Sequence, residues 1–117
     1  QTACGTPYYL SPEICQGNSY GPQNDLWAAG VIAYEVLTLK RPFEGRNLAS
    51  VIMQICHTKL IYPPKPKVSA PAKLVIDAIL TKDPAARPTV SALPAGSIQL
   101  LAGTTLAAGR VAEMCLQ

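Results

Sequence analysis

Residues 5–13 read Gly-Thr-Pro-Tyr-Tyr-Leu-Ser-Pro-Glu, and the residue types divide this stretch into a turn and a helix start. Gly5 supplies a backbone position open to positive φ, so the chain can turn tightly and present Thr6, Pro7, Tyr8 and Tyr9 as an extended surface. Ser11-Pro12-Glu13 then places a capping hydroxyl, a proline suited to the first helical position and an acid near the positive end of the helix dipole. A short helix is expected from there to about Gln16. Taken alone, Gly-Thr-Pro-Tyr-Tyr is a surface turn; its meaning depends on the rest of the chain.

Downstream, Gly17 to Pro22 has loop chemistry, and Asn24-Asp25 offers capping side chains ahead of Leu26–Leu39, LWAAGVIAYEVLTL. Glu35 and Thr38 are the only clearly polar side chains there, with Tyr34 amphipathic, so this central helix is expected to be buried on every face and ended by Pro42. From Asn47 to His57, Leu48, Val51, Ile52 and Ile55 have the spacing of an amphipathic surface helix. Tyr62-Pro63-Pro64-Lys65-Pro66-Lys67 reads as an extended connector, a plainer reading than a ligand for an SH3-type module. Ser69 caps a further helix to about Thr81, with a core side of Leu74, Ala78 and either Val75 or Ile79. Thr89 is placed to cap a last helix through Leu93, which Pro94 and Gly96 break after about one turn. The expected fold is all-α, four helices with almost no strand signal. Beyond Pro94 the chain is rich in small apolar residues, with a loose helix expected near Leu106 to Cys115.

At 117 residues the chain holds one domain at most. Its 49% hydrophobic and 15% charged content suits a packed core and is too apolar for intrinsic disorder. The net charge of +3 comes from scattered Lys and Arg with no basic stripe, so no nucleic-acid partner is expected. No run approaches the roughly 20 apolar residues of a membrane span, so no membrane partner is expected either. Cys4, Cys15, Cys56 and Cys115 form no Cys-x-x-Cys pair, and His57 has no second histidine to join it, so buried free thiols are expected rather than a metal site or disulfide framework. Such thiols suit a reducing cytosol. The N-terminal Gln-Thr-Ala-Cys resembles no signal peptide and has no initiator methionine, and the chain reads as an excerpt of a longer protein.

Three motifs in order, GTPYYLSPE at 5–13, DLWAAGVIAYEVLT at 25–38 and KDPAARP at 82–88, resemble eukaryotic protein kinases from the end of the activation segment to the last helices of the large lobe. GTPYYLSPEIC with LTLKRPFEG is most similar to the NIMA-related serine/threonine kinases. The resemblance covers about four-fifths of the chain and implies a partial kinase domain over 1–93, a C-terminal-lobe portion built around a buried central helix, with 94–117 unassigned.

The resemblance implies a task for each motif. Thr6, Pro7, Tyr8 and Tyr9 correspond to the platform where a protein substrate docks beside its target hydroxyl, Thr6 contacting the catalytic aspartate and lysine. Glu13 corresponds to the acid of an Ala-Pro-Glu motif, with serine in place of alanine, and its implied partner is Arg87 in a largely buried ion pair. An arginine fork bonds a carboxylate through two parallel donors, which lysine does not imitate. Asp25 resembles the aspartate that accepts backbone N–H groups from the catalytic loop; simple compensation of the helix dipole is the alternative. Thr2 aligns with an activation-loop threonine whose phosphate would pair with basic residues near the catalytic loop. Trp27 is core in either reading, and its indole N–H wants an acceptor.

Phosphoryl transfer needs a glycine-rich cover, a strand lysine, a His-Arg-Asp loop and an Asp-Phe-Gly magnesium ligand. The glycines at 5, 17, 21, 30, 45, 96, 103 and 109 include no pair two apart. His57 is followed by Thr58, and Asp25, Asp77 and Asp83 by Leu, Ala and Pro. No catalytic residue is therefore expected in this chain; ATP and Mg belong to a full-length parent, and the missing N-lobe and catalytic loop are its natural complement. The alternative is a noncatalytic protein-binding module or a decayed kinase remnant. Without those complements, the apolar central helix is expected to expose a patch and self-associate. A cytoplasmic location, with cytoskeletal or nuclear sites, follows from the family name alone.

Overall fold

Small polar side chains start each helix. In the computed structural model, which describes residues 7–18 and 21–93, Ser11 Oγ accepts from the Ile14 N–H at 3.4 Å and opens α1, Pro12–Cys15. Asn47 Oδ1 accepts from the Ser50 N–H at 2.8 Å ahead of α3, Leu48–His57. Ser69 Oγ accepts from the Ala72 N–H at 3.3 Å ahead of α4, Ala70–Ile79. The long helix α2, Pro22–Thr38, starts differently. Asn24 and Asp25, expected ahead of it, lie inside its first turn, because Asn24 Oδ1 reaches back to the Gly21 N–H and lets the helix begin at the proline. Short 3-10 turns at Pro7–Tyr9 and Val90–Ala92 complete the regular structure, and among the described residues all of it is helical. Thr89 precedes this single 3-10 turn rather than a helix to Leu93, whose side chain packs against the core.

The ends of α2 are also set locally. Pro42 lies beyond the end: the helix stops at Thr38, whose hydroxyl donates to the Tyr34 carbonyl at 2.8 Å and accepts from the Lys40 N–H at 3.2 Å. Leu39 turns the chain with φ 61°, a left-handed conformation uncommon for leucine, and its side chain is left exposed.

The core gathers Trp27, Val31, Ala33 and Tyr34 of α2, Phe43 of the following loop, Val51 and Ile55 of α3, and Val75, Ile76, Ile79 and the adjacent Leu80. α2 and α4 approach closely at Gly30, where an added Cβ would stand 2.5 Å from Ile79 Cγ2 and 2.9 Å from Leu80 Cδ2. That approach sets the phase of α4. Its buried residues are Ala72, Val75, Ile76 and Ile79, whereas Leu74, expected in the core, is 66% exposed. α3 is likewise turned toward Val51 and Ile55, leaving Leu48 58% exposed. In both helices two apolar stripes compete in the sequence, and the neighbour decides which is covered.

α2 itself departs from the expectation of burial on every face. Leu26, Trp27, Gly30, Val31, Ala33, Tyr34 and Thr38 are buried, but Ala28, Ala29, Ile32 and Val36 are only half-buried. The spacing of four between 28, 32 and 36 puts these side chains on one stripe. Across the molecule, Tyr62 ties the connector to α4: its hydroxyl donates to Asp77 Oδ1 at 2.7 Å, and its ring lies 5.4 Å from that of Tyr34, whose own hydroxyl donates to the Ile61 carbonyl. Thr2, Gly5, Thr6 and the expected tail helix near Leu106 to Cys115 lie outside the described residues. No helix among the described residues is long and apolar enough to cross a membrane.

Candidate functional site

KDPAARP forms a coil that turns one side chain inward. Asp83 Oδ1 accepts from the Ala85 N–H at 3.0 Å, and the Asp83 carbonyl accepts from the Ala86 and Arg87 N–H groups at 3.0 and 3.1 Å. Arg87 is thereby directed into the core, 3% exposed. Its Nη1 and Nη2 donate to Glu13 Oε2 at 2.8 Å and Oε1 at 3.0 Å, a two-pronged pair across 74 residues of sequence. The remaining donors are used as well: Nε to the Thr81 carbonyl at 2.9 Å, Nη1 to the Gln23 carbonyl at 3.2 Å and Nη2 to the Lys82 carbonyl at 3.3 Å. One guanidinium thus joins α1, the first turn of α2 and the segment after α4.

The carboxylate has a second buried partner that sequence reasoning placed elsewhere. Asn24 Nδ2 donates to Glu13 Oε2 at 2.9 Å and to Ser11 Oγ at 2.7 Å, and Ser11, Glu13 and Asn24 are all buried. Burial pushes the Glu13 carboxyl up, but the bonds from Arg87 and from the backbone, the Arg87 charge and the Ser11 contact outweigh it and hold the group below its ordinary 4.5. The Arg87 guanidinium carbon also sits 5.0 Å from the centre of the Trp27 ring, which stacks on Phe43 at 6.0 Å. Trp27 is fully buried, yet its indole N–H finds no acceptor among the described residues.

This anchor holds the segment that precedes it. Pro7, Tyr8 and Tyr9 form a 3-10 turn instead of an extended strip, because the Leu10 N–H bonds back to the Pro7 carbonyl at 3.2 Å and the fixed φ of proline suits a turn. The turn packs against α2 and α3. Tyr8 is half-buried, with the Arg41 guanidinium carbon 4.0 Å from its ring centre. The Tyr9 hydroxyl donates to Glu35 Oε1 at 3.0 Å. Glu35 is the polar residue of α2 that sequence reading left without a task. Burial raises its carboxyl above 4.5 despite the Tyr9 bond and the Arg41 charge. Its Oε2 is buried without a partner among the described residues. Asp25 lies exposed in the first turn of α2, next in sequence to Asn24. Among the described residues, no group of three or more His, Cys, Asp or Glu side chains is placed to hold a metal ion.

Helices around a long, largely apolar α2, with the end of one motif clamped by a buried arginine from another, define the class: a portion of the large lobe of a protein kinase. The sequence model described as "Protein kinase domain" matches residues 1–96, and the chain belongs to that family. It is similar to the serine/threonine-protein kinase Nek5 of Mus musculus, 41% identical over 93 residues, covering 80% of this chain and 15% of that protein. It is similar also to the serine/threonine-protein kinase nekl-2 of Caenorhabditis elegans, 40% identical over 92 residues, covering 79% and 26%, and to Nek1 of Mus musculus, 36% identical over 94 residues, covering 80% and 8%. These are NIMA-related kinases. The chain spans a quarter or less of the length of Nek5 and Nek1 and about a quarter of nekl-2.

Proposed function

We propose that this chain is the substrate-docking and anchoring part of a serine/threonine kinase whose parent transfers the γ-phosphate of ATP to Ser or Thr hydroxyls of proteins. The observation that carries the reading is the Arg87–Glu13 pair with its Asn24 brace. It ties the end of GTPYYLSPE to KDPAARP and so fixes the Pro7–Tyr9 turn against the lobe. On this reading Thr6 to Tyr9 meet the protein substrate, Asp25 anchors the catalytic loop, and Thr2 is the site of an activating phosphate. ATP and Mg act through residues of the parent, and the isolated chain transfers no phosphate. Residues 1–93 form the kinase part and 94–117 an appended tail.

The half-buried stripe of Ala28, Ala29, Ile32 and Val36 supports the same reading, since it is an apolar face suited to the remainder of a kinase domain. Its counterpart in the isolated chain is self-association through that face. The family name carries a cytoplasmic, cytoskeletal or nuclear location as part of the same proposal.

A chimera tests it. The 93 residues of mouse Nek5 that match are replaced by the matching stretch of this chain, and phosphate transfer from ATP with Mg to casein is measured beside unaltered Nek5. The chimera is expected to label Ser and Thr, and Arg87→Ala in it to lose most of that activity. A folded chimera that transfers nothing while Nek5 is active would favour the remnant over the working kinase.

A further inference from the structure

Cys15 is the last residue of α1 and Cys56 the penultimate residue of α3, and neither takes part in the anchor or the docking turn. The two helices pack on each other, and the thiols face closely enough for one sulfur to act on the other. Both are free and half-buried, within reach of a small oxidant. A bonded circuit holds them in place. Arg87 Nη2 donates to Glu13 Oε1 at 3.0 Å, two residues before Cys15, and to the Lys82 carbonyl at 3.3 Å. Lys82 Nζ in turn donates at 2.6 Å to the carbonyl of Ile55, the residue before Cys56. Glu13, Arg87, Lys82 and Ile55 thus join α1 to α3 beside the thiol pair.

We propose that Cys15 and Cys56 form a reversible intramolecular disulfide, made by hydrogen peroxide and undone by a dithiol, that staples the helix after the docking turn to α3.

The surroundings assign the order of events. Burial, with the neighbouring Cys56 and the Glu13 charge, pushes the Cys15 thiol up to about 11, so it stays protonated at neutral pH and acts second. Cys56, the other member of the pair, therefore acts first. Its thiolate attacks one peroxide oxygen, an S–O bond forms, the O–O bond breaks, and hydroxide departs to leave a sulfenic acid. The Cys15 sulfur then attacks the Cys56 sulfur; the S–S bond forms, the S–O bond breaks, and the Cys15 proton leaves with the departing hydroxide as water. Two thiols and one peroxide give one disulfide and two waters, the sulfurs losing two electrons that the peroxide gains.

The test uses the whole chain carrying Cys4→Ser and Cys115→Ser, which removes the other two thiols. It is treated with hydrogen peroxide, blocked with N-ethylmaleimide and mapped by peptide mass, folded and in concentrated urea. The expected product is a Cys15–Cys56 linked peptide pair two hydrogens lighter than the free thiols, from single chains, abolished by dithiothreitol and formed far more slowly in urea. Closing a loop of about 40 residues should also raise the thermal midpoint by several degrees, roughly 5 °C or more. Maleimide on both cysteines after peroxide, linkage only between chains, or equal rates in urea would each overturn the proposal. None of these readings depends on a variant at Cys15 or Cys56 folding.

Discussion

Arg87 uses all five of its N–H donors inside the protein, two on Glu13 and three on the carbonyls of Thr81, Lys82 and Gln23. A lysine there keeps the charge but has three donors on one atom and cannot span these acceptors. Arg87→Lys is therefore expected to lower unfolding stability by about 3 kcal/mol, toward the cost of breaking a buried pair. Urea denaturation measures it, and an unchanged midpoint would rule out the anchoring role. The buried Glu13 and the half-buried Glu35 respond to pH with opposite signs. Glu13 is held below its unfolded value, so its stabilisation is complete above about 4.5 and is lost as pH falls through its folded value. Glu35 is raised, so the folded state holds its proton more tightly and stability declines as pH rises from 4.5 through its folded value. Glu35→Gln, compared with the unaltered chain, should match it below pH 4.5 and gain on it as pH rises, reaching a plateau by neutrality. A constant difference across a pH series of melting curves would refute this.

At the scale of elements, α2 and α4 are held by a contact that has room for no side chain. Exchanging a mid-helix glycine for alanine ordinarily improves helix stability by up to about 1 kcal/mol. At Gly30 the new methyl would press on Ile79 and Leu80, both buried, and overpacking of this kind costs about 1–3 kcal/mol. Gly30→Ala is expected to destabilise on balance, and a raised thermal midpoint would show that α4 is free to move away. The same contact explains α4's orientation. Leu74 with Ala78 and Val75 with Ile79 are equally apolar in the sequence; the Ile79 and Leu80 side chains have to meet Gly30, which turns Leu74 outward.

For the whole molecule the decisive feature is the half-buried apolar stripe of α2. Ile32 sits at its centre, flanked by Ala28, Ala29 and Val36, and each is only half-buried. An apolar stripe on the central helix of a lobe is expected to draw the chains together. Sedimentation velocity should show mass rising with concentration, and Ile32→Glu should reduce that rise by placing a charge in the contact. A concentration-independent monomer that binds no hydrophobic dye would sink this prediction. The helices and their capping serines were readable from local chemistry, because a cap, a proline or an apolar period acts within a few residues of itself; the family was readable only from the resemblance of three motifs taken in order. The partnership of Glu13 with Arg87 was readable only through resemblance, since nothing in either residue points across 74 positions. Three features depended on the tertiary structure alone: Asn24 as the brace of that pair, the phase of α4 and the meeting of Cys15 with Cys56. Each depends on which surfaces are brought within bonding distance, and a one-dimensional pattern with two equally apolar stripes or an uncommitted amide contains no information about that neighbour.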